Sequence, residues 1–291
     1  MSWWESIALG IVQGLTEFLP ISSSAHIRVV GALLPNGSDP GAAFTAVIQF
    51  GTTAAMIVYF WHDLVRIFGA WVACLLGWNG KSLKARFGER LPDARLGWWI
   101  VLGSLPIVVL GVLFKDSIES GLRNLWITVA VLAVFAVVLA WADRIGKKRR
   151  QIGSIRGGDA IVLGLAQAAA LVPGVSRSGG TISAGLFLGL TREAAARFSF
   201  ILAVPAVLGS GLYELAGNYK GLTGPGAPGI AATIIAAVVS FVVGYAVIVW
   251  FLRLITTRSF LPFVGYRFAF AAVVAGLILA NVIPAIPAAT K

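Results

Sequence analysis

Long apolar segments constrain this chain more than any other feature of its sequence. A helix that crosses a bilayer core needs about 20 consecutive, mostly apolar residues. Segments of this kind occupy residues 41–61, 96–114, 125–142, 191–215, 230–252 and 266–288. The fourth segment contains Pro205, which a membrane helix tolerates. The sequence therefore predicts an all-α polytopic membrane protein with about six transmembrane helices.

Basic residues predict which side of the membrane each loop faces. Segments 62–95 and 143–157 each contain six lysines or arginines, whereas links 35–41 and 216–229 contain only Lys220. Loops rich in Lys and Arg remain in the cytoplasm, so both rich segments are predicted there. The run KKRR at 147–150 is also compatible with nucleic-acid binding, but its position beside a span favours contact with anionic membrane lipid. We expect no nucleic-acid partner.

Two parts of the chain repeat at an offset of 154 residues. IALGIVQ at 7–13 matches IVLGLAQ at 161–167, and a proline and a serine cluster follow each of them. The sequence predicts repeats at 1–142 and 158–291, with opposite topologies, joined by the basic cytoplasmic loop 143–157. The helical pairs 3–34 and 158–190 are too short to cross twice, which predicts two re-entrant helical hairpins. Inverted repeats place their polar site where broken helices meet near the midplane.

The first predicted hairpin has a polar tip, QGLTEFLPISSSAH at residues 13–26. Glu17 inside a membrane would cost about 2.5–3.5 kcal/mol unless it is hydrated or paired, which makes it a candidate functional residue. An ion pair with Arg177 or Arg28 that only locks the hairpins together is the structural alternative. His26 follows a serine triplet and is a candidate acid, base or nucleophile.

The second predicted hairpin has the tip PGVSRSGGT at residues 173–181. Arg177 presents a fork that matches phosphate oxygens, and helix N-termini favour anions. Candidate anion-binding residues are Ser176, Arg177, Ser178, Gly179, Gly180 and Thr181. A helix cap and a tight turn, with the arginine reaching for the membrane surface, is the structural alternative. Together the two tips predict cleavage or transport of a lipid that carries phosphate.

QGLTEFLPISSSAH and PGVSRSGGT resemble the two signature motifs of the undecaprenyl pyrophosphate phosphatase family, bacterial membrane enzymes also described as bacitracin-resistance proteins. The family patterns are Glu/Gln-x-x-x-Glu running into Pro-x-Ser-Ser-x-x-His, and Pro-Gly-x-Ser-Arg-Ser-x-x-Thr. Both match in order and spacing. Segments 198–209 and 259–268 are similar to the family as well, so the resemblance covers nearly the whole chain.

The resemblance implies hydrolysis of undecaprenyl diphosphate to undecaprenyl phosphate, which recycles the carrier lipid of peptidoglycan synthesis and confers bacitracin resistance. It also implies a divalent cation, Mg²⁺ or Ca²⁺, as cofactor. The expected location is the bacterial cytoplasmic membrane, with the active site toward its extracytoplasmic side.

By motif position, the resemblance implies catalytic roles for Glu17, Ser23, His26 and Arg177, and diphosphate binding by residues 176–181. Where many members have a first glutamate, this chain has Gln13, whose amide brings no negative charge. A metal ion would then be bound by Glu17 and Gln13 together with diphosphate oxygens and water, as Mg²⁺ allows. Serine, histidine and water all remain open as the nucleophile.

Two other functions are alternatives for these residues. A polyprenyl-phosphate transporter or flippase would use the same inverted-repeat site, and it predicts binding without turnover. Acid-phosphatase-like lipid phosphatases need a histidine after the Ser-Arg element, but His26 and His62 are the only histidines in the chain. The sequence excludes that second class, and it leaves a homodimer open.

Overall fold

The structure is a computed structural model that describes residues 1–35, 41–80, 82–89, 91–114, 122, 124–223 and 228–286. These residues form helices, short turns and one isolated bridge between Arg150 and Leu190, but no β-strand. The helices are α1 (Trp3–Thr16), α2 (Ser23–Leu33), α3 (Ala42–Tyr59), α4 (Trp61–Leu75), α5 (Leu83–Arg86), α6 (Pro92–Leu113), α7 (Leu125–Ile145), α8 (Gly157–Ala168), α9 (Arg177–Phe187), α10 (Arg192–Asn218), α11 (Ile230–Thr257) and α12 (Leu261–Leu279).

Six of the described segments are long and apolar enough to cross a membrane. They are Ala42–Tyr59, Pro92–Leu113, Leu125–Ile145, Arg192–Leu222, Ile230–Thr257 and Leu261–Leu279. The predicted all-α membrane fold with about six spans is therefore confirmed. The two predicted hairpins correspond to the pairs α1–α2 and α8–α9, and their entry into the bilayer from opposite faces stays a prediction.

At two places the helix bounds differ from the predicted segments. The last span, predicted at 266–288, is helical from Leu261, because Pro262 starts the helix, and it ends at Leu279, just before the left-handed Asn281. Segment 62–95 is not a simple loop, since it contains most of α4 and all of α5. Positions 287–288, Lys81, Arg90, most of links 35–41 and 115–124, and residues 224–227 of link 216–229 lie outside the described residues.

Glycines allow the short hairpin helices to pack closely on the long spans. A Cβ added at Gly10 of α1 would lie 2.5 Å from the carbonyl oxygen of Ala236 in α11. A Cβ at Gly164 of α8 would lie 2.5 Å from the carbonyl oxygen of Gly103 in α6. Gly10 and Gly164 are separated by the offset of 154 residues, so matching positions of the two hairpins make the same kind of contact.

The second helices of the two hairpins, α2 and α9, also correspond. Each has 11 residues, and both their first and their last residues differ by the offset of 154. Their N-caps, Ser22 and Ser176, share an uncommon backbone conformation, with φ of 74° and 69°. Because non-glycine residues rarely adopt positive φ, the shared strain marks one turn geometry that is used twice.

An aromatic cluster fixes the end of α1 against the spans. Phe18, Phe60, Phe200 and Phe251 are each at most 2% exposed. The ring centroid of Phe200 lies 5.5 Å from that of Phe18, 6.4 Å from that of Phe60 and 6.0 Å from that of Phe251. Helix association in lipid depends on such close van der Waals packing. Phe18 thus anchors the residue directly before it in the chain, Glu17.

Candidate active site

The N-termini of α2 and α9 converge on one cavity of about 500 Å³. Its floor is polar and its walls are mostly apolar. The floor is formed by Glu17, Ser22, Ser23, Ser24, Ser176 and Arg177. The walls include residues 107, 108, 111 and 112 of α6 and residues 206, 209, 210, 213 and 214 of α10.

The Glu17 carboxylate is the centre of the polar floor. Its Oε1 accepts a hydrogen bond from Nη2 of Arg177. Its Oε2 accepts from Oγ of Ser23 at 2.7 Å and from Nε2 of Gln13 at 2.9 Å. The side chain is only 5% exposed, so the guanidinium balances a charge that has little water around it. The ion pair between Glu17 and Arg177, which the sequence offered as the structural alternative, is present. The Ser23 hydroxyl donates to the same carboxylate.

Two helix N-termini make the floor electropositive. Ser23 is the first residue of α2 and Arg177 the first residue of α9, and both line the cavity. The first turn of a helix carries unpaired N–H groups and about half a positive charge. In α9 the Ser176 hydroxyl accepts from the backbone N–H of Gly179 at 3.1 Å. Two such ends and one arginine around a single cavity suit a phosphate-bearing anion.

Four of the six predicted anion-loop residues lie outside this lining. The Ser178 hydroxyl donates to the carbonyl of Leu19 at 3.0 Å, which ties the second tip to the first. The Thr181 hydroxyl donates to the carbonyl of Arg177 at 2.7 Å and contacts Ser199. These two hydroxyls therefore hold the turn together.

The two glycines of the loop also stabilise the turn and its packing. The N–H of Gly179 is bonded to Ser176, as described above. The N–H of Gly180 donates to the carbonyl of Ser176 at 2.8 Å, and a Cβ on Gly180 would lie 2.9 Å from the carbonyl oxygen of Ala166. Gly180 is thus required for the close approach of α9 to α8. Of the predicted loop, Ser176 and Arg177 face the cavity.

His26 does not line the cavity either. Its Nδ1 lies 2.8 Å from the carbonyl oxygen of Ser22, and its Nε2 lies 2.7 Å from the hydroxyl of Tyr266. Its ring stacks on Phe270 with centroids 3.9 Å apart. Because a carbonyl only accepts, Nδ1 carries a proton, and in the neutral ring the Tyr266 hydroxyl donates to Nε2. His26 therefore braces the N-cap of α2 against α12, while Glu17, Ser23 and Arg177 meet at the floor.

Gln13 does not line the cavity, but its amide bonds to Glu17 at the floor. Its Nε2 donates to Glu17 and, at 3.4 Å, to the Thr52 hydroxyl, while its Oε1 is buried without a partner among the described residues. Within that part of the chain, no three His, Cys, Asp or Glu side chains group closely enough to bind a metal ion. The oxygens of Glu17 and Gln13 therefore fit a cation only if the ligand supplies further oxygens.

Arg267 is a structural centre that the sequence analysis missed. It is 1% exposed, and its guanidinium donates to the carbonyls of Pro20 at 3.0 Å, Gly174 at 2.7 Å, Val175 at 3.3 Å and Leu132 at 3.1 Å. Pro20 and Gly174 are matching positions in the two tips. A lone arginine inside an apolar span is a signal for function, and applying that test to residues 266–288 would have identified it.

Comparison with known proteins gives the family. The family model described as bacitracin resistance protein BacA matches residues 6–273. The chain belongs to this family. The resemblance inferred from the paired motifs is therefore confirmed.

Relatives match the chain over nearly its whole length. The undecaprenyl-diphosphatase of Pseudarthrobacter chlorophenolicus is 56% identical over 272 residues, which are 92% of this chain and 94% of that protein. The undecaprenyl-diphosphatase of Paenarthrobacter aurescens is 54% identical over 287 residues, which are 98% of this chain and 100% of that protein. The one from Micrococcus luteus is 54% identical over 288 residues, with the same coverage.

Replacing Arg267 tests its role in holding the tips. We expect Arg267→Met to lower the free energy of unfolding by about 3 kcal/mol or more, because each buried carbonyl left unpaired costs about 1–3 kcal/mol. Thermal denaturation in detergent, followed by size-exclusion chromatography, measures the effect. Arg258→Met, at an exposed arginine that ends α11, is the matched control. Equal denaturation midpoints for the two variants would contradict the assignment.

Proposed function

We propose that this chain hydrolyses undecaprenyl diphosphate to undecaprenyl phosphate and inorganic phosphate. The observation that carries the proposal is the contact of Glu17 with both Ser23 and Arg177 at the floor of a cavity that two helix N-termini face. Relatives named undecaprenyl-diphosphatase match almost the entire chain, and they favour hydrolysis over the transporter alternative. The activity would recycle the carrier lipid for peptidoglycan synthesis and confer bacitracin resistance.

The geometry supports Ser23 as the nucleophile. Its Oγ already donates to Glu17 Oε2 at 2.7 Å, within the reach that a general base requires. Glu17 takes the Ser23 proton as Oγ attacks the terminal phosphorus, and the bond from that phosphorus to the bridging oxygen breaks. Undecaprenyl phosphate leaves with the electrons of that bond, and Glu17 gives its proton up to the leaving phosphate or to water. Glu17 then takes a proton from the water that attacks the phosphoserine, and this proton returns to Ser23 Oγ as inorganic phosphate is released.

Arg177 and the N-termini of α2 and α9 hold the diphosphate and stabilise the charge that develops on it. Such preorganised donors are among the largest contributions to catalysis. In the described structure Arg177 is paired with Glu17, so binding of the anion would draw the guanidinium toward phosphate and leave the carboxylate free to accept a proton. His26 then acts as a positioning residue, because it fixes the Ser22 carbonyl beside the nucleophile.

We also propose that a divalent cation, Mg²⁺ or Ca²⁺, binds with the substrate. Glu17 and the unpartnered Oε1 of Gln13 would be its protein ligands, and diphosphate and water oxygens would complete its shell. When bound, the cation neutralises charge on the diphosphate. Mg²⁺ is commonly bound in this way, by one or two carboxylates together with substrate phosphates.

The active site is proposed to face the extracytoplasmic side of the bacterial cytoplasmic membrane. The cavity walls lie toward the C-terminal ends of α6 and α10, at Val112 and Glu214. Segment 62–95 runs into the opposite, N-terminal end of α6, and segment 143–157 contacts the N-terminal end of α10, where the N–H of Thr191 donates to the carbonyl of Arg150 at 2.9 Å. Because basic loops stay in the cytoplasm, the positions of these segments support an outward-facing cavity.

Phosphate release from undecaprenyl diphosphate by the purified chain tests the proposed reaction. We expect Mg²⁺-dependent turnover in the wild type and a loss of kcat of about 100-fold or more in Arg177→Ala and in Glu17→Gln. Arg253→Ala and Glu193→Gln, at exposed positions of α11 and α10, are the matched controls. Binding of the lipid through Arg177 without any phosphate release would favour the transporter alternative.

The nucleophile is tested by trapping the intermediate. We expect acid-quenched enzyme to carry phosphate on Ser23, detected by mass spectrometry, and Ser23→Ala to lose both the adduct and about 1000-fold or more of kcat. His26→Ala should keep the adduct at reduced rate, since His26 only positions α2. Phosphate found on His26, or full turnover by Ser23→Ala, would contradict the assignment.

The cation is tested through Gln13. We expect chelation by EDTA to abolish turnover, and Gln13→Glu to lower the Mg²⁺ concentration for half-maximal rate by about ten-fold, because a second carboxylate strengthens the site. Titration of initial rates against Mg²⁺ measures this concentration. Thr52→Val, which removes the other contact of the Gln13 amide together with the hydrogen bond from the Thr52 hydroxyl to the carbonyl of Gln49, is the control. An unchanged Mg²⁺ requirement in Gln13→Glu would place the cation elsewhere.

A further inference from the structure

A second, much smaller cavity lies next to the ion pair of Glu17 and Arg177. Its volume is about 10 Å³, roughly the smallest that holds one water molecule. Among the described residues, Glu17 and Arg177 alone line both this cavity and the large one, so the ion pair stands between the two. We call the second cavity the inner cavity. Its other lining residues are Phe18, Met56, Ser178, Ser199, Phe200 and Ala203.

The inner cavity lies in the protein interior. The six residues that line it beside the ion pair are each at most 4% exposed. Four of them are apolar and form one wall, whereas Ser178 and Ser199 contribute hydroxyl groups. A buried water is held by two to four polar partners. The hydrogen bonds that the two serines already make therefore decide what the inner cavity can bind.

Ser199 of α10 lines the inner cavity as a hydrogen-bond acceptor. The Thr181 hydroxyl uses its single proton on the carbonyl of Arg177, at 2.7 Å. In the contact between the two hydroxyls, Ser199 is therefore the donor and Thr181 the acceptor. A hydroxyl has one proton and two lone pairs, so the Ser199 oxygen still accepts but has no further proton to donate.

The other polar groups of the inner cavity leave water as the ligand that matches them. The Ser178 proton is used on the carbonyl of Leu19, at 3.0 Å, so Ser178 is an acceptor as well. The Glu17 carboxylate accepts, and the Arg177 guanidinium donates. The guanidinium repels a cation and the carboxylate repels an anion, whereas a water molecule donates twice and accepts from the guanidinium.

We propose that the inner cavity binds one water molecule, which donates to the Glu17 carboxylate and to Ser199 Oγ. The role of this water rests on the proposed function, in which binding of the diphosphate draws Arg177 away from Glu17. A buried carboxylate that loses its donor is costly. The water supplies a donor on the side away from the substrate, so Glu17 stays in place beside Ser23. The structure thus assigns Ser199 as a positioning residue that acts on Glu17 through the water.

X-ray footprinting tests the water site without turnover. Hydroxyl radicals that an X-ray pulse forms from a bound water oxidise thioether and aromatic side chains next to it. We expect mass spectrometry to find oxidation of Met56, Phe18 and Phe200 in the wild type. Phe44 and Phe260, which are at most 1% exposed and lie outside both cavities, should stay unmodified. An unmodified Met56, or equal oxidation of all five side chains, would overturn the proposal.

Filling the inner cavity tests the role of the water. Ala203→Val adds two methyl groups to a side chain that lines the space, so it should displace the water and abolish the oxidation of Met56. We expect it to raise KM for undecaprenyl diphosphate by about ten-fold or more, because a hydrogen bond to a charged group is lost. Since this bond is present in the substrate complex and in the transition state alike, kcat should not change.

Two comparisons control this test. Ala203→Gly enlarges the inner cavity at the same position and should keep both the oxidation of Met56 and the wild-type KM. Ser199→Ala removes an acceptor of the water without filling the space and should raise KM with kcat unchanged. Ser240→Ala, at a buried serine of α11 outside both cavities, should leave KM unchanged. A fall in kcat at constant KM in Ala203→Val and Ser199→Ala would overturn the role of the water.

The footprint and the kinetics separate this inference from the proposed reaction. Oxidation of Met56 that Ala203→Val abolishes, in a chain that releases no phosphate, would support the water site and count against hydrolysis. Phosphate release by a wild type in which Met56 stays unmodified would overturn the water site and leave hydrolysis intact.

Discussion

The structure depends on hydrogen bonds to the backbone carbonyls at the tips of the two hairpins, where short helices end among apolar spans. A chain that turns while it is buried among helices has backbone carbonyls that no water can reach. Arg267 supplies donors to such carbonyls in both tips at once, at the matching positions Pro20 and Gly174. The cost of burying its charge is offset by four oxygens. With the tips held in this way, α2 and α9 begin beside each other, and their first residues share one cavity.

The buried pair of Glu17 and Arg177 has two consequences for such a cavity. Removing two charges from water is expensive, and their attraction only partly offsets the cost. A ligand with several phosphate oxygens can replace the carboxylate as partner of the guanidinium, so anion binding does not leave Arg177 unpaired. The same exchange frees Oε1 of Glu17, while Oε2 of that carboxylate already accepts a hydrogen bond from Ser23 Oγ at 2.7 Å. In the proposed reaction, substrate binding and base activation are thereby linked.

The sequence predicted the spans and the polar tips because both rest on local signals, apolar length and charges inside apolar segments. It did not predict which tip residues face the cavity. His26 lies one turn beyond Ser23, but its direction is decided by Tyr266 and Phe270, which are distant in sequence. Gly180 is required for packing on Ala166, and a pattern of glycines does not distinguish close helix packing from close approach to a ligand. Arg267 is the second residue of the predicted span, a position typical of an arginine that reaches the membrane surface, but the helix starts five residues earlier, so Arg267 lies inside it.

The offset of 154 residues explains why the site has two different reactive groups at one location. Ser23 and Arg177 occupy the same position of the two hairpins, the first residue after a serine N-cap with positive φ. Because the hairpin occurs twice, two electropositive helix N-termini meet at one cavity. The first residue differs between the two helices, so α2 presents the hydroxyl of Ser23 and α9 presents the guanidinium of Arg177. Glu17 has Leu171 as its counterpart, and both line the cavity. Only one hairpin can therefore provide a carboxylate base, so in the proposed reaction the attack on phosphorus starts from α2 while α9 holds the anion.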